Sequence, residues 1–220
     1  MKILVIDVGG TNVKLKHSGG EEVRKHPSGP TLTPQQLVDA VKQATADWKF
    51  DRVTLGFPAP VNHDKILKEP VNLGLGWVDF DFGALGKPFK LINDAAMQAL
   101  GSYEGGRMLF LGLGTGLGST LVAEGVVVPL EIGHLPYRKC RSYEEYVGEA
   151  GLIRVGKKKW QGYVFDVVER FKNAFIADYV VLGGGNVRKL EELPPGARRG
   201  DNNNAFLGGV RLWEDSKIRS

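Results

Sequence analysis

The sequence predicts an internally duplicated α/β protein whose two halves face each other across a cleft. Three observations predict it. A strand, a glycine turn and a second strand open the chain at residues 2–17, and the same pattern returns at residues 108–123. Each unit leads into further strand and then helix, with the halves meeting near Gly105 and Gly106. Glycine supplies 30 of 220 residues, about twice ordinary usage. No G-x-y period or serine-rich tract absorbs that excess, so the glycines serve turns.

Residues 2–8 form the first strand, because Ile3, Leu4, Val5 and Ile6 are apolar on both faces, as a central strand requires. Gly9, Gly10, Thr11 and Asn12 turn the chain, and residues 13–17 alternate apolar and basic. A helix follows over 34–48. Thr33 caps it, Gln36 completes a capping box, Pro34 takes the first helical position, and Leu37, Val38, Val41, Ala44 and Trp48 share one stripe. Residues 52–57 and 89–92 read as strands, the second leading through Asn93 and Asp94 into a helix over 95–103. The second half repeats the opening, with strands at 108–113 and 118–123 around Gly114, Thr115 and Gly116. Helices are expected over 143–152 and 160–175, a buried strand over 179–182, and a last helix near 205–213. That last helix, extended to 204–220, is expected to pack back on the first lobe, residues 1–104, against a second lobe of residues 105–203.

Composition narrows the function classes. Hydrophobic residues make up 42% and charged residues 25%, the balance of a globular chain. The longest uncharged run, 108–123, carries four glycines with Thr115 and Ser119, and is shorter than the ~20 apolar residues of a membrane span. Asp7 cuts the N-terminal apolar run too early for a signal peptide. A cytoplasmic protein without a membrane partner is expected. The single cysteine, Cys140, excludes an internal disulfide and a multi-cysteine zinc site. A net charge of +4 is no nucleic-acid signature, so no such partner is expected. Between Arg138 and Lys172 nine basic residues face five acidic ones, a surplus equal to that of the whole chain.

The glycine turns exclude two familiar phosphate sites. Residues 112–118 do not fit G-x-G-x-x-G, because Leu117 holds the third glycine position, and no G-x-x-x-x-G-K-[ST] occurs. Both of those motifs also run from strand into helix, whereas these run into another strand. A hairpin cradle remains: glycines let backbone N–H groups converge on an anion, and a threonine hydroxyl adds a donor. Asp7 before the first turn suits Mg2+, directly or through water, and Lys14 beyond it suits the transferred phosphate.

The segment Asp7 to Lys14, D-V-G-G-T-N-V-K, resembles the first phosphate motif of the sugar-kinase, heat-shock-protein and actin superfamily, and more narrowly that of the ROK sugar kinases. Residues 112–119 are similar to the second phosphate motif, Glu131-Ile132-Gly133-His134 to the E-x-G-H sugar motif, and Gly183, Gly184 and Gly185 to the nucleotide-side motif. Asn93 and Asp94 fall where that family has its sugar-binding Asn and catalytic Asp. The short spacing from the second phosphate loop through Val128 and Pro129 to Glu131, and Asn72 followed by Trp77, resemble polyphosphate glucokinases.

The resemblance implies the two-lobed, actin-like ATPase (ribonuclease H-like) fold. It also implies a kinase that phosphorylates glucose at its 6-hydroxyl with Mg2+ and with polyphosphate or ATP as donor, and a homodimer. Two departures count. The cysteine cluster of the ROK zinc site is missing, so no zinc is expected and His134 serves the sugar. The second sugar-binding glutamate has no clear counterpart, Glu144 and Glu145 both being candidates.

The roles follow from chemistry. Asp94, at the end of an apolar strand and the mouth of a helix, is the proton acceptor, and Asn93 offers a donor and an acceptor to hydroxyls. Glu131 and His134, three residues apart, bracket vicinal hydroxyls, and the resemblance implies that Asn72 joins the sugar side. Gly9, Gly10, Thr11, Asn12 and Lys14 form the first phosphate set, and Gly112, Gly114, Thr115 and Gly116 the second. Gly183, Gly184 and Gly185 lie on the donor side, where Lys157, Lys158 and Lys159 supply cations for a long polyanion. The alternatives are an ATP-dependent hexose or amino-sugar kinase and, of another class, a non-catalytic sugar-sensing regulator; retention of Asp94 argues against the latter.

Overall fold

The computed structural model describes residues 1–201 and 203–215. Strands β1 (Ile3–Val8), β2 (Asn12–His17) and β3 (Arg24–Pro27) form an antiparallel meander, and α1 (Pro34–Ala44) leads to β4 (Arg52–Phe57). A small hairpin, β5 (Val61–Asn62) with β6 (Lys65–Ile66), precedes β7 (Phe89–Asn93) and α2 (Asp94–Ser102). The plan then repeats with β8 (Arg107–Leu113), β9 (Leu117–Ala123) and β10 (Val126–Leu130). A second small hairpin, β11 (Pro136–Arg138) with β12 (Arg141–Ser142), precedes helices α3 (Glu144–Val147), α4 (Glu149–Val155) and α5 (Lys157–Ala174). Strands β13 (Tyr179–Gly183) and β14 (Ala197–Arg199) and helix α6 (Asn204–Glu214) follow.

One sheet runs β3-β2-β1-β4-β7 and the other β10-β9-β8-β13-β14. In each, the first two pairings are antiparallel and the last two parallel. The duplication holds strand for strand.

Alternation along β1 explains the layers. Leu4 and Ile6 pack outward with Leu37 and Val41 of α1, while Ile3 and Val5 join a core between the sheets. On the other outer face Trp160, Val164, Val167, Val168 and Phe171 of α5 cover Leu109, Leu111, Val180 and Leu182. Between the sheets lie α2, buried along nearly its whole length, and α6. These two helices cross at glycines: a Cβ on Gly101 would collide with the Asn204 carbonyl, and one on Gly208 with the Met97 carbonyl.

Element boundaries depart from expectation at informative places. The capping box of α1 is present, Thr33 Oγ1 accepting from Gln36 N at 3.4 Å and Gln36 Oε1 accepting from Thr33 N at 2.9 Å. The helix stops at Ala44 rather than Trp48, and Trp48 turns under the Arg24 guanidinium, 4.2 Å from its ring centroid. The helix expected over 143–152 breaks at Gly148, whose backbone is extended. The break frees Glu149 N to donate to Gly114 O at 3.0 Å and Thr115 O at 3.2 Å, which supports the second glycine turn. Helix α5 starts three residues earlier than expected and takes in Lys157, Lys158 and Lys159. The last helix ends at Glu214 rather than running to residue 220, and residues 216–220 of that expected span lie outside the described residues.

Candidate active site

The cleft, about 530 Å3, opens where the carboxyl ends of the parallel strands converge, the usual place for ligands in an open α/β sheet. Gly10 and Thr11 line it from the first turn, which Gly9 N closes onto Asn12 O at 3.0 Å. Ser28 steadies that turn, donating from Oγ to Gly9 O at 2.6 Å and from N to Thr11 O at 3.0 Å. Gly9 and Asn12 stand behind the lining. Asp7 and Lys14 face each other across the β1–β2 ladder, Nζ to Oδ2 at 3.1 Å, with Asp7 buried. Lys14 thus neutralises Asp7 and does not itself line the cleft.

Gly112, Gly114, Thr115 and Gly116 line the opposite wall. Their turn is held by Gly114 N donating to Gly116 O at 3.2 Å and by buried Asn186, whose side chain donates to Gly114 O and whose N–H donates to Leu113 O, both at 2.9 Å. Of the third glycine run, Gly184 reaches the cleft. At Gly183 and Gly184 close packing excludes a side chain: a Cβ would strike the Phe110 ring or the Leu113 carbonyl. Gly185 has open space.

Asp94, at the start of α2, lines the same cleft as both glycine turns. Burial, reinforced by the neighbouring charges of Asp7 and Glu131, raises its pKa to about 7, against the opposing hydrogen bond from Ala95 N. Asn93 also lines the cleft, but its Oδ1 caps α2 by accepting from Ala95 N and Ala96 N at 3.0 and 3.1 Å. Its Nδ2 donates to Ala59 O at 3.2 Å, which leaves one amide N–H for a ligand. Asn93 thus both caps α2 and lines the cleft.

Glu131, His134 and Glu144 also line the cleft, Glu144 lying against Gly116 of the second turn. His134 sits between two carboxylates, Nε2 3.3 Å from Glu131 Oε2 and Nδ1 3.3 Å from Glu144 Oε1. Glu144 is therefore the glutamate that joins the site. Glu145 turns away and accepts from Ser142 N at 2.7 Å. Asn72 faces Gly10, whose added Cβ would lie 3.4 Å from the Asn72 Cβ. Lys157, Lys158 and Lys159 do not line the cleft; they form the first turn of α5, and Lys157 pairs with Glu191 at 2.9 Å.

Three contributors escaped the sequence reading. Glu69 gathers the N–H groups of Gly76, Trp77 and Val78 at 3.1–3.2 Å and so shapes the segment that carries Asn72. Gln98, one helical turn beyond Asp94, and Lys68 line the cleft, Lys68 being its one Lys or Arg side chain among the described residues. A glutamine four residues after Asp94 on the same helical face was the available signal for the first; nothing local marked Lys68. Among the described residues no three His, Cys, Asp or Glu side chains are arranged to hold a metal ion, and no helix is long and apolar enough to cross a membrane.

No family profile matches the chain. It is 25% identical to the polyphosphate glucokinase of Mycobacterium tuberculosis over 86% of this chain and 80% of that protein. Its structure superposes on the inorganic polyphosphate/ATP-glucomannokinase of Arthrobacter sp. strain KM with a TM-score of 0.80 at 22% identity, covering 96% and 97% of the two chains. The chain has the two-lobed, actin-like fold of the ROK sugar kinases. A ROK family glucokinase from Streptomyces griseus, solved with glucose and AMPPNP, gives 0.70 at 16% identity over 96% and 99%. The resemblance read from the motifs holds, to ROK sugar kinases in fold and to polyphosphate glucokinases in sequence.

Proposed function

We propose that the chain is a sugar kinase that transfers a phosphoryl group to the 6-hydroxyl of glucose, with inorganic polyphosphate as donor and ATP as a second donor. The observation that carries this reading is Asp94. A carboxylate with a pKa of about 7 lines one cleft together with both glycine turns and the Glu131–His134–Glu144 set. A group so tuned takes a proton from an alcohol and gives it up again near neutrality. The names of the polyphosphate glucokinase relatives and of the polyphosphate/ATP-glucomannokinase support the sugar and the donor.

In this reading Glu131, Glu144, His134 and the free N–H of Asn93 bind sugar hydroxyls and aim the 6-oxygen at the donor. Asp94 accepts the hydroxyl proton as the new O–P bond forms and the bond to the donor's leaving phosphate breaks. Backbone N–H groups at Gly10, Thr11, Thr115 and Gly116 receive the phosphoryl oxygens, the Gly114 N–H being spent on closing its own turn. Asp7 is buried and does not itself line the cleft; it is the carboxylate that would hold Mg2+ beside the substrate phosphates, Lys14 occupying only its Oδ2. Mg2+ there supplies charge neutralisation on the donor. The lobes are residues 1–104 with α6 packed back on them, and residues 105–203.

Incubation of the chain with glucose and Mg2+, with polyphosphate and with ATP in parallel, tests the reading. Glucose 6-phosphate should form with polyphosphate, and more slowly with ATP. Product from ATP alone would move the assignment to an ATP-dependent kinase, and no product from any hexose with either donor would refute it.

A further inference from the structure

His134 and Glu144, which meet in the lining of the cleft, come from opposite ends of one hairpin. His134 precedes β11 and Glu144 follows β12, and the stem between them is fastened by Tyr143 N donating to Leu135 O at 3.1 Å. The tip turns at Lys139 and Cys140, both with positive φ. Four paired residues do not hold their register unaided in water, so the hairpin needs an anchor.

Tyr137 is that anchor. Its ring stacks on Tyr143, 4.6 Å between centroids and 24° between planes, and meets Tyr146 and Tyr163 edge-on at 5.1 and 6.4 Å. Its hydroxyl donates to Asp166 of α5. Asp166 is also bound by Arg170 Nε at 2.8 Å and by Arg138 Nη2 at 3.2 Å, and the Arg138 guanidinium lies 4.9 Å from the Tyr137 ring centroid. Burial and the hydrogen bond to Asp166 both raise the Tyr137 pKa. Burial alone would raise that of Asp166, but Arg170 and Tyr137 hold it below the usual value.

We infer that Tyr137 and Asp166 are positioning residues for the sugar side of the site: by locking the hairpin to α5 they set the 3.3 Å approach of His134 and Glu144. Neither residue lines the cleft. The inference rests on the sugar-kinase reading of the cleft and deepens it.

The test uses Tyr137→Phe, which keeps the stacked ring and loses the hydroxyl, and Asp166→Asn, which keeps the volume and loses the charge. Glucose affinity is measured by calorimetry without donor, and KM and kcat are measured with donor. Both variants should weaken glucose binding and raise its KM about tenfold, the scale of one misaligned hydrogen-bonding pair, with kcat and donor KM within about twofold. A merely structural role would lower the active fraction, and hence kcat, at unchanged glucose affinity and KM; that result overturns the inference while leaving the kinase reading intact. A parent chain that neither binds nor phosphorylates glucose overturns both.

Discussion

Asp94→Asn tests the residue at the centre of the site. Loss of a general base should lower kcat by ~10² or more with glucose affinity nearly unchanged; a variant retaining most of the parental turnover removes Asp94 from the chemistry. Two pH dependences follow from its pKa of about 7. Activity should rise with pH through that value, because the ionised form accepts the proton. Stability should run the other way. An aspartate whose folded pKa lies above its unfolded value binds its proton more tightly in the native state, so stability falls as pH rises between the ordinary carboxylate range and about 7. Asp94→Asn should therefore melt above the parent at pH 8, with the difference vanishing near pH 4. Melting curves at the two pH values check the sign. Gly116 offers a second residue-scale test, since an added Cβ would lie 2.5 Å from Glu144 Oε2. That carboxylate sits at the end of a flexible side chain, so Gly116→Ala should fold normally and raise the glucose KM by displacing Glu144. An unchanged KM would separate Glu144 from sugar binding. The choice between Glu144 and Glu145 was illegible in the sequence, because both are exposed-looking acids at the start of one predicted helix. The break at Gly148, set by hydrogen bonds to a turn some thirty residues earlier, shapes that segment.

Elements with a one-dimensional signature were legible and those defined by partners were not. The apolar run of β1, the capping box of α1 and the glycine turns all stand in local sequence. Strands β3 and β14, Arg-Lys-His-Pro and Ala-Arg-Arg, carry no apolar alternation because they are sheet edges, where charge and proline are favoured. The α2–α6 crossing yields an element-scale prediction. In a helix alanine outranks glycine by ~1 kcal/mol. At Gly208, however, the new methyl meets the Met97 backbone, which no rotamer change can clear. Overpacking costs about 1–3 kcal/mol or more, so the clash wins and Gly208→Ala should destabilise the protein. Denaturant midpoints check it; a variant as stable as the parent would mean the helices slide apart freely. The lysine turn at the start of α5 is the second. If it guides a long donor, replacing Lys157, Lys158 and Lys159 by Ala should raise KM for polyphosphate, more for longer chains, and flatten its salt dependence while sparing glucose. Equal use of polyphosphate by parent and variant would make that turn a solvated face.

At the scale of the molecule, two copies of one five-stranded plan present their strand ends to a common cleft, and the paired glycine turns in the sequence were the visible trace of that symmetry. The sequence showed where the halves repeat; it did not show that α2 and α6 would be the shared layer, because their small residues read as ordinary helix until a second helix is placed against them. Gly105 and Gly106, both with positive φ, join the halves beside that layer. Closure of the lobes over glucose, which would exclude water from the donor phosphate, should shrink the radius of gyration in solution scattering; superimposable profiles with and without saturating glucose would contradict it. Phosphorus NMR of a mixture of the chain, glucose, Mg2+ and polyphosphate observes directly whether a phosphoryl group passes to one oxygen under the control of one carboxylate. If Asp94 controls the proposed transfer, a phosphomonoester resonance should grow at the 6-position of glucose with the parent chain and be essentially absent with Asp94→Asn. Equal product from both chains, or none from the parent with polyphosphate or with ATP in its place, would contradict it.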